Sequence, residues 1–306
     1  MPLCFIAAQQ LPQYGLYMFE PYSFNPAYGG MNNSISVSAD IRKQWSGLAG
    51  APSSQYLTVH MPIYSLNSGV GLMLNNEELG ANHQFQGQLS YNYVMSNLAA
   101  GLISIGASVG LINRNMDGSE IRTPGGNYEN SIQHNDPLLY PGAENYFGST
   151  LGCGIFYRAS AVEVGLSYSQ IISLPIQNKT FTYNPAAHLI LYASYFYKIN
   201  EDWKIVPAVL LKYNAAVIQS DLDLQIYRNN LIGGLGLRGY SSKSLDCFKI
   251  NLGGRLSERL LIGYSYEATL SGLKSYSDNT HELFIQYRLP VKMLKKAENV
   301  IYHPRM

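Results

Sequence analysis

Along much of this chain hydrophobic and polar residues alternate one for one, the repeat of a β-strand whose two faces meet different surroundings. Between 83 and 94, Phe85, Gly87, Leu89, Tyr91 and Tyr93 fall on one side and Gln84, Gln86, Gln88, Ser90 and Asn92 on the other. The pattern returns from Val162 to Tyr168 against Glu163, Gly165 and Ser167. It appears again as Ile218, Leu222, Leu224 and Ile226 against Gln219, Asp221, Asp223 and Gln225. Even the most apolar stretch, 98–112, keeps this step: Ile103, Ile105, Ala107, Val109 and Leu111 alternate with Ser104, Gly106, Ser108 and Gly110. That composition is costly for a helix, and no apolar, charge-free run reaches the roughly 18 residues a membrane helix needs.

Continued along the chain, the pattern predicts about fourteen antiparallel strands, starting near Ser34, Ser53, Ser68, His83, Gly101, Tyr146, Ala161, Ala187, Trp203, Ala216, Leu231, Leu245, Arg259 and His281. Short links at 158–161, 200–202 and 227–230 take turns with longer ones at 44–52, 113–145, 171–186 and 269–280, while the link at 213–215 breaks the rule. Short turns on one side and long loops on the other are the habit of bacterial transmembrane barrels, whose even strand count brings both ends to the periplasm.

Composition agrees with a barrel. Charged residues are 13% of the chain, against about 25% in soluble proteins, and there are 25 Tyr and 28 Gly. A soluble sandwich also alternates, but its outward faces would carry far more Lys and Glu. The mean hydropathy of -0.07 suits strands that are half lipid-facing and half polar. A net charge of +1, with both signs interspersed, leaves no footprint for nucleic acid.

Candidate chemistry is sparse. The glycines of 234–239 spell GxGxxG, but a dinucleotide site needs a strand before them and a helix after, and here they lie inside a strand pattern. The 6 His (His60, His83, His134, His188, His281, His303) show no metal-ligand spacing, and the 3 Cys (Cys4, Cys153, Cys247) are far apart, with Cys153 and Cys247 reading as small apolar fillers. No metal, cofactor or catalytic residue is expected. A lipid hydrolase would need a Ser and a His meeting on one wall, and no flanking signature marks them.

The ends differ from the middle. Residues 1–8 read as a signal-peptide remnant, an apolar run closing on Ala7-Ala8 without a basic start. Residues 9–33 form an aromatic arm with Tyr14, Tyr17, Phe19, Tyr22, Phe24 and Tyr28 among Pro12, Pro21 and Pro26, which oppose a regular helix or central strand. The arm reads either as packing at the barrel mouth or in the lumen, or as a plug or docking strip; in the lumen it would close the barrel. The barrel itself spans 34–290, and residues 291–306 are a periplasmic tail, either disordered or in contact with partner machinery.

Residues 14–30, running from Tyr14-Gly15-Leu16-Tyr17 through Asn25-Pro26-Ala27-Tyr28 to Gly29-Gly30, resemble the opening signature of the PorP/SprF family of type IX secretion system membrane proteins. Arg42-Lys43-Gln44-Trp45-Ser46-Gly47, with Gly50-Ala51-Pro52 and Gln55, is similar to the second signature, and His281 to Arg288 to the closing strand. The resemblance implies an outer-membrane barrel of the Bacteroidetes lineage that helps export or anchor surface adhesins, in some members for gliding motility. Its implied partners are outer-membrane lipid, the adhesin substrates, the translocon and the periplasmic ring. It carries no catalytic residues. Tyr17, Phe19, Asn25, Pro26, Tyr28, Arg42, Gln44, Trp45 and Gln55 are the candidate partner-binding positions; Trp45 reads equally as part of an aromatic belt. The 113–145 loop is the candidate recognition element. The alternative function is a passive channel or small-solute transporter, which needs an open lumen.

Overall fold

A computed structural model describes residues 12–98, 101–129, 131–136, 139, 141–171, 176–177, 182–183, 186–214, 217–241, 244–275 and 277–291. The proposed signal remnant and the carboxyl tail, except Val291, lie outside them. The barrel strands are β1 Ser34–Lys43, β2 Ser53–Ile63, β3 Ser68–Leu79, β4 Asn82–Leu98, β5 Gly101–Asp117, β6 Ala143–Arg158 and β7 Val162–Ser169. Next come β8, in two pieces, His188–Tyr195 and Tyr197–Lys198, then β9 Trp203–Tyr213 and β10 Ile218–Arg228. The set ends with β11 Leu231–Ser241, β12 Ser244–Arg255, β13 Leu260–Thr269 and β14 Thr280–Pro290.

Each strand pairs antiparallel with its sequence neighbours, and β1 pairs with β14 from Ser34↔Pro290 to Lys43↔His281, which closes a fourteen-stranded barrel. Closure leaves no sheet edge unpaired in the membrane. The break in β8 has a covalent cause. The register Ser194↔Ala208 and Tyr197↔Ile205 places Tyr195 opposite Pro207, which has no N–H to donate.

The alternation seen in the sequence is the division between lipid and lumen. Phe85, Leu89, Tyr91 and Tyr93 of β4 are exposed outward, while Ser90 and Asn92 are buried inward. On β10, Ile218, Leu222, Leu224 and Ile226 face out and Gln219, Asp221, Asp223 and Gln225 face in. Outward aromatic side chains gather near both rims, Tyr93, Tyr195, Tyr197 and Trp203 at one and Phe85, Phe147 and Tyr213 at the other, where amphipathic rings settle at the lipid headgroups. No helix among the described residues is long and apolar enough to cross a membrane.

At the rim where β1 starts and β14 ends, the links are all short: 64–67, 99–100, 159–161, 199–202, 229–230 and 256–259. The opposite rim carries 44–52, 118–142, 170–187 and 270–279, and also the short links 80–81, 214–217 and 242–243. The expected alternation is thus one-sided. A tight turn is cheap wherever Gly or Asn can take positive φ, as Gly80 does at +55° and Asn229 at +50°. The loop read as 113–145 is shorter than expected, because pairing continues through Asp117↔Ala143. There Asn113, Arg114 and Asn115 break the apolar pattern while keeping the ladder.

Candidate functional site

The lumen is filled by the chain's own arm. Pro12 lies near the long-loop rim, where its carbonyl accepts from Lys212 at 3.2 Å. The chain descends to Phe19, which packs on Phe284 and against Gly263. It rises again to Phe24, whose carbonyl accepts from Ser167 at 2.6 Å, and then drops to Asn33, one residue before β1. Although β1 begins and β14 ends on one rim, the first described residue therefore sits toward the other. The prolines shape this path: Pro21 and Pro26 open short 3-10 turns, Pro21–Ser23 and Pro26–Tyr28, and Asn25 caps the second by accepting from the Ala27 N–H at 3.0 Å. A proline there brings no buried N–H that would need a partner.

Burial holds the arm. Tyr14, Leu16, Tyr17, Met18, Phe19, Tyr22, Ala27, Tyr28 and Met31 form one apolar cluster with wall residues such as Tyr56, Phe156, Tyr192 and Phe284. The rings of Tyr14 and Tyr56 meet edge-on at 4.7 Å, and those of Tyr28 and Phe156 at 5.0 Å, geometries that add roughly 0.5–1.5 kcal/mol each beyond burial.

The wall is cut to receive it. A side chain at Gly106 would lie 2.7 Å from the Ala27 backbone, and one at Gly263 would lie 2.7 Å from the Phe19 ring. Gly71 is covered by the Tyr22 ring, and Gly154 by the Asn25 amide. These glycines come from β3, β5, β6 and β13, so the hollow is distributed around the barrel.

Several polar groups of the arm are matched by side chains and carbonyls of the wall. The Asn25 amide donates to the carbonyls of Ile155 and Leu166, and Tyr22 and Ser90 hydroxyls meet at 2.7 Å. The N–H groups of Gly15 and Leu16 donate to Glu282 at 2.6 and 2.7 Å, and Arg238 donates to the Tyr14 carbonyl at 3.1 Å. Arg158, itself paired with Glu163 at 3.0 Å, donates to the Met31 carbonyl and lies over the Tyr28 ring. Hydrogen bonds to ionised groups are each worth about 1.5–3 kcal/mol, more than neutral ones.

Behind the arm runs a buried charge network. Arg42 on β1 donates to Glu267 on β13 and to Glu282 on β14 at 2.6 and 2.8 Å. Arg238 on β11 joins Glu267 to Asp221 at 3.0 and 2.7 Å, and Lys249 on β12 bridges Asp221 and Asp223 at 2.9 and 2.6 Å. Since Arg42 and Glu282 are directly opposed across β1 and β14, this network also locks the seam that closes the barrel. Beside the arm remains a cavity of about 80 Å³ lined by residues including Tyr22, Met73, Gln86, Thr150 and Lys212. That space has room for several waters. Among the described residues no group of His, Cys, Asp and Glu is gathered that could hold a metal ion.

Residues 6–287 match the family model described as "Type IX secretion system membrane protein PorP/SprF". The chain belongs to the PorP/SprF family. It is a membrane component of the type IX secretion system, and its barrel places it in the outer membrane. No curated protein matches the sequence. Among solved structures, the monoaromatic hydrocarbon channel CymD aligns with a TM-score of 0.51 at 12% identity, covering 92% of this chain and 94% of that one. The toluene transporter TodX of Pseudomonas putida gives 0.49 at 10% identity over 92% and 95%, and Omp33 of Acinetobacter baumannii gives 0.49 at 8% over 84% and 98%. At these identities the likeness concerns the barrel fold alone. Family and fold point to a secretion or outer-membrane protein.

The PorP/SprF signature residues occupy two places. Tyr17, Phe19, Asn25, Pro26, Tyr28 and Arg42 are all buried in the lumen, where they seat the arm or brace the wall. Gln44, Trp45 and Gln55 lie near the long-loop rim, and only Gln55 is exposed, on the outer face of β2. The Trp45 N–H donates to Thr280 at 3.1 Å, and Ser46 exchanges backbone hydrogen bonds with Asp278 and Asn279, so this second signature laces the loop 44–52 to the loop 270–279. In the sequence Glu20 and Glu267 carry no candidate role, His60 stands only among the six dispersed histidines, and Glu282 only within the closing-strand signature. The available signal was acidic residues at inward positions of strands. The glycines 234–239 lie within β11, where a side chain at Gly236 would meet the Asp223 and Lys249 side chains. Cys153 faces outward, Cys247 inward, and both are free.

Proposed function

We propose that this PorP/SprF barrel works as a closed outer-membrane platform that helps export or anchor surface adhesins, including adhesins of the gliding type, by binding substrate and machine subunits at its rims. The rim that carries Ser34 and Pro290 faces the periplasm, toward the ring components, and the long-loop rim faces outward. The single observation that carries this reading is the arm seated in the lumen: a barrel filled by its own chain has exchanged permeability for internal order. That argues for binding at the rims and against a passive channel or small-solute transporter, even though barrels of similar fold include hydrocarbon channels.

On the outward rim the loop 118–142 is the longest link between barrel strands. Arg122 lies over the Tyr128 ring at 4.6 Å, and Tyr128 contacts His134 at 3.2 Å, which pre-shapes part of the loop before any partner arrives. The test is affinity purification of the tagged chain from native outer membrane followed by mass spectrometry. Translocon or ring subunits together with a large surface adhesin are the expected partners. Recovery of neither class would overturn the proposal.

A further inference from the structure

The two halves of the arm are held by different means. From Phe19 to Tyr28 particular side chains enter hollows made by Gly71, Gly154 and Gly263, with the Ala27 backbone lying on Gly106. From Pro12 to Leu16 the wall grips mainly the backbone: Lys212 and Arg238 donate to the carbonyls of Pro12 and Tyr14, and Glu282 accepts the N–H groups of Gly15 and Leu16. Backbone groups belong to every peptide, so three charged side chains arranged in this way form a clamp for an extended segment.

Selectivity in the clamp comes from three adjoining positions. Tyr14 enters a slot where its ring meets Tyr56 at 4.7 Å and its hydroxyl donates to Asn75 at 2.9 Å. At Gly15 a Cβ would lie 2.7 Å from the Glu267 carboxylate and 2.9 Å from the Ser265 hydroxyl, and Glu267 is pinned there by Arg42 and Arg238, so a side chain would have to break that network. Leu16 is buried against Gly263. The cavity of about 80 Å³ is lined by Pro12, Tyr14 and Lys212, so one flank of the clamped segment borders open space instead of packed wall.

We propose that the upper lumen is a peptide-binding site for an extended aromatic-glycine-aliphatic segment, occupied in cis by Tyr14-Gly15-Leu16 and exchangeable with such a segment of a partner polypeptide. The proposal deepens the reading of the barrel as a binding platform and rests on it. The two fail separately, because a barrel can assemble with the secretion machine and bind no peptide.

The test uses the full chain in detergent and a fluorescent, end-blocked peptide with the sequence of residues 12–17. Gly15→Val expels the cis segment, and this variant is expected to bind the peptide at least about tenfold more tightly than the original chain, by mass action. Val in place of the peptide's glycine, or Glu282→Gln added to the variant, is expected to remove that gain. Equal binding by both chains, or no binding by a Gly15→Val chain that keeps its heat-modifiable migration, overturns the proposal.

If Gly15→Val does not fold, a nitroxide at Pro12→Cys, which borders the cavity, with the three native cysteines replaced by alanine, reports exchange with Gly15 in place. The mobile fraction is expected to rise with the glycine peptide and not with its valine form. An unchanged spectrum at roughly hundredfold excess of peptide overturns the proposal.

Discussion

Glu20 in the arm and His60 on β2 face each other at 3.2 Å, both sealed from solvent. The other imidazole nitrogen, Nδ1, accepts from the Gly30 N–H at 3.0 Å, which leaves Nε2 to donate to Glu20. One ring thus fastens two turns of the arm to one strand, while Ser38 and Gln286 donate to the same carboxylate.

Replacing Glu20 by alanine strands the buried donors of His60 and Ser38, while Gln286 keeps its bond to the Ser38 hydroxyl, and leaving such groups unpaired costs about 3–5 kcal/mol. The loss falls on the arm more than on the barrel, whose ladder does not involve Glu20. Chymotrypsin should cut Glu20→Ala among Tyr14, Tyr17 and Phe19 under conditions where the original chain resists, with the barrel strands intact in both. Equal resistance would show that burial alone seats the arm.

Arg42 predicts a different failure. It bridges β1 to β13 and β14, and its removal leaves Glu267 and Glu282 with less compensation in a buried wall. Arg42→Ala should lower stability to urea in lipid vesicles by about 3–5 kcal/mol, and Arg42→Lys should recover only part, because an ammonium lacks the guanidinium fork. A full recovery by lysine would show that charge suffices without the bidentate geometry.

Gly106 tests the fit between wall and arm. Leucine there would collide with the backbone of Ala27, which cannot yield as a flexible side chain does. Gly106→Leu should free residues 12–33 to chymotrypsin while heat-modifiable migration persists. An arm that stays protected would mean the wall adjusts instead.

The barrel was legible because its cause is local. Lipid and lumen impose a two-residue repeat on each strand, so residues such as Leu222 and Asp223 declare their faces without knowledge of their neighbours in space. The starting points of the strands followed, and so did the family, whose signatures sit at Tyr14 to Gly30, at Arg42 to Gln55 and on the closing strand. What stayed hidden was pairing across the lumen. Nothing adjacent to Glu20 in sequence announces His60 or Gln286, and nothing near Arg42 announces Glu267, because only closure of β1 on β14 brings them together. The strand glycines could be read as small inward positions, but not as the imprint of a particular arm residue. The same gap hides from the sequence that Tyr17, Asn25 and Arg42, candidate partner-binding positions, are buried within the barrel.

The central claim is that the arm closes the barrel, and single-channel recording in a planar bilayer tests it most directly. The intact chain should show no stable conductance, and a chain lacking residues 12–33 should show discrete openings if the barrel persists without its filling. Large, stable conductance of the intact chain that depends on solute size would contradict a closed platform and restore the channel reading.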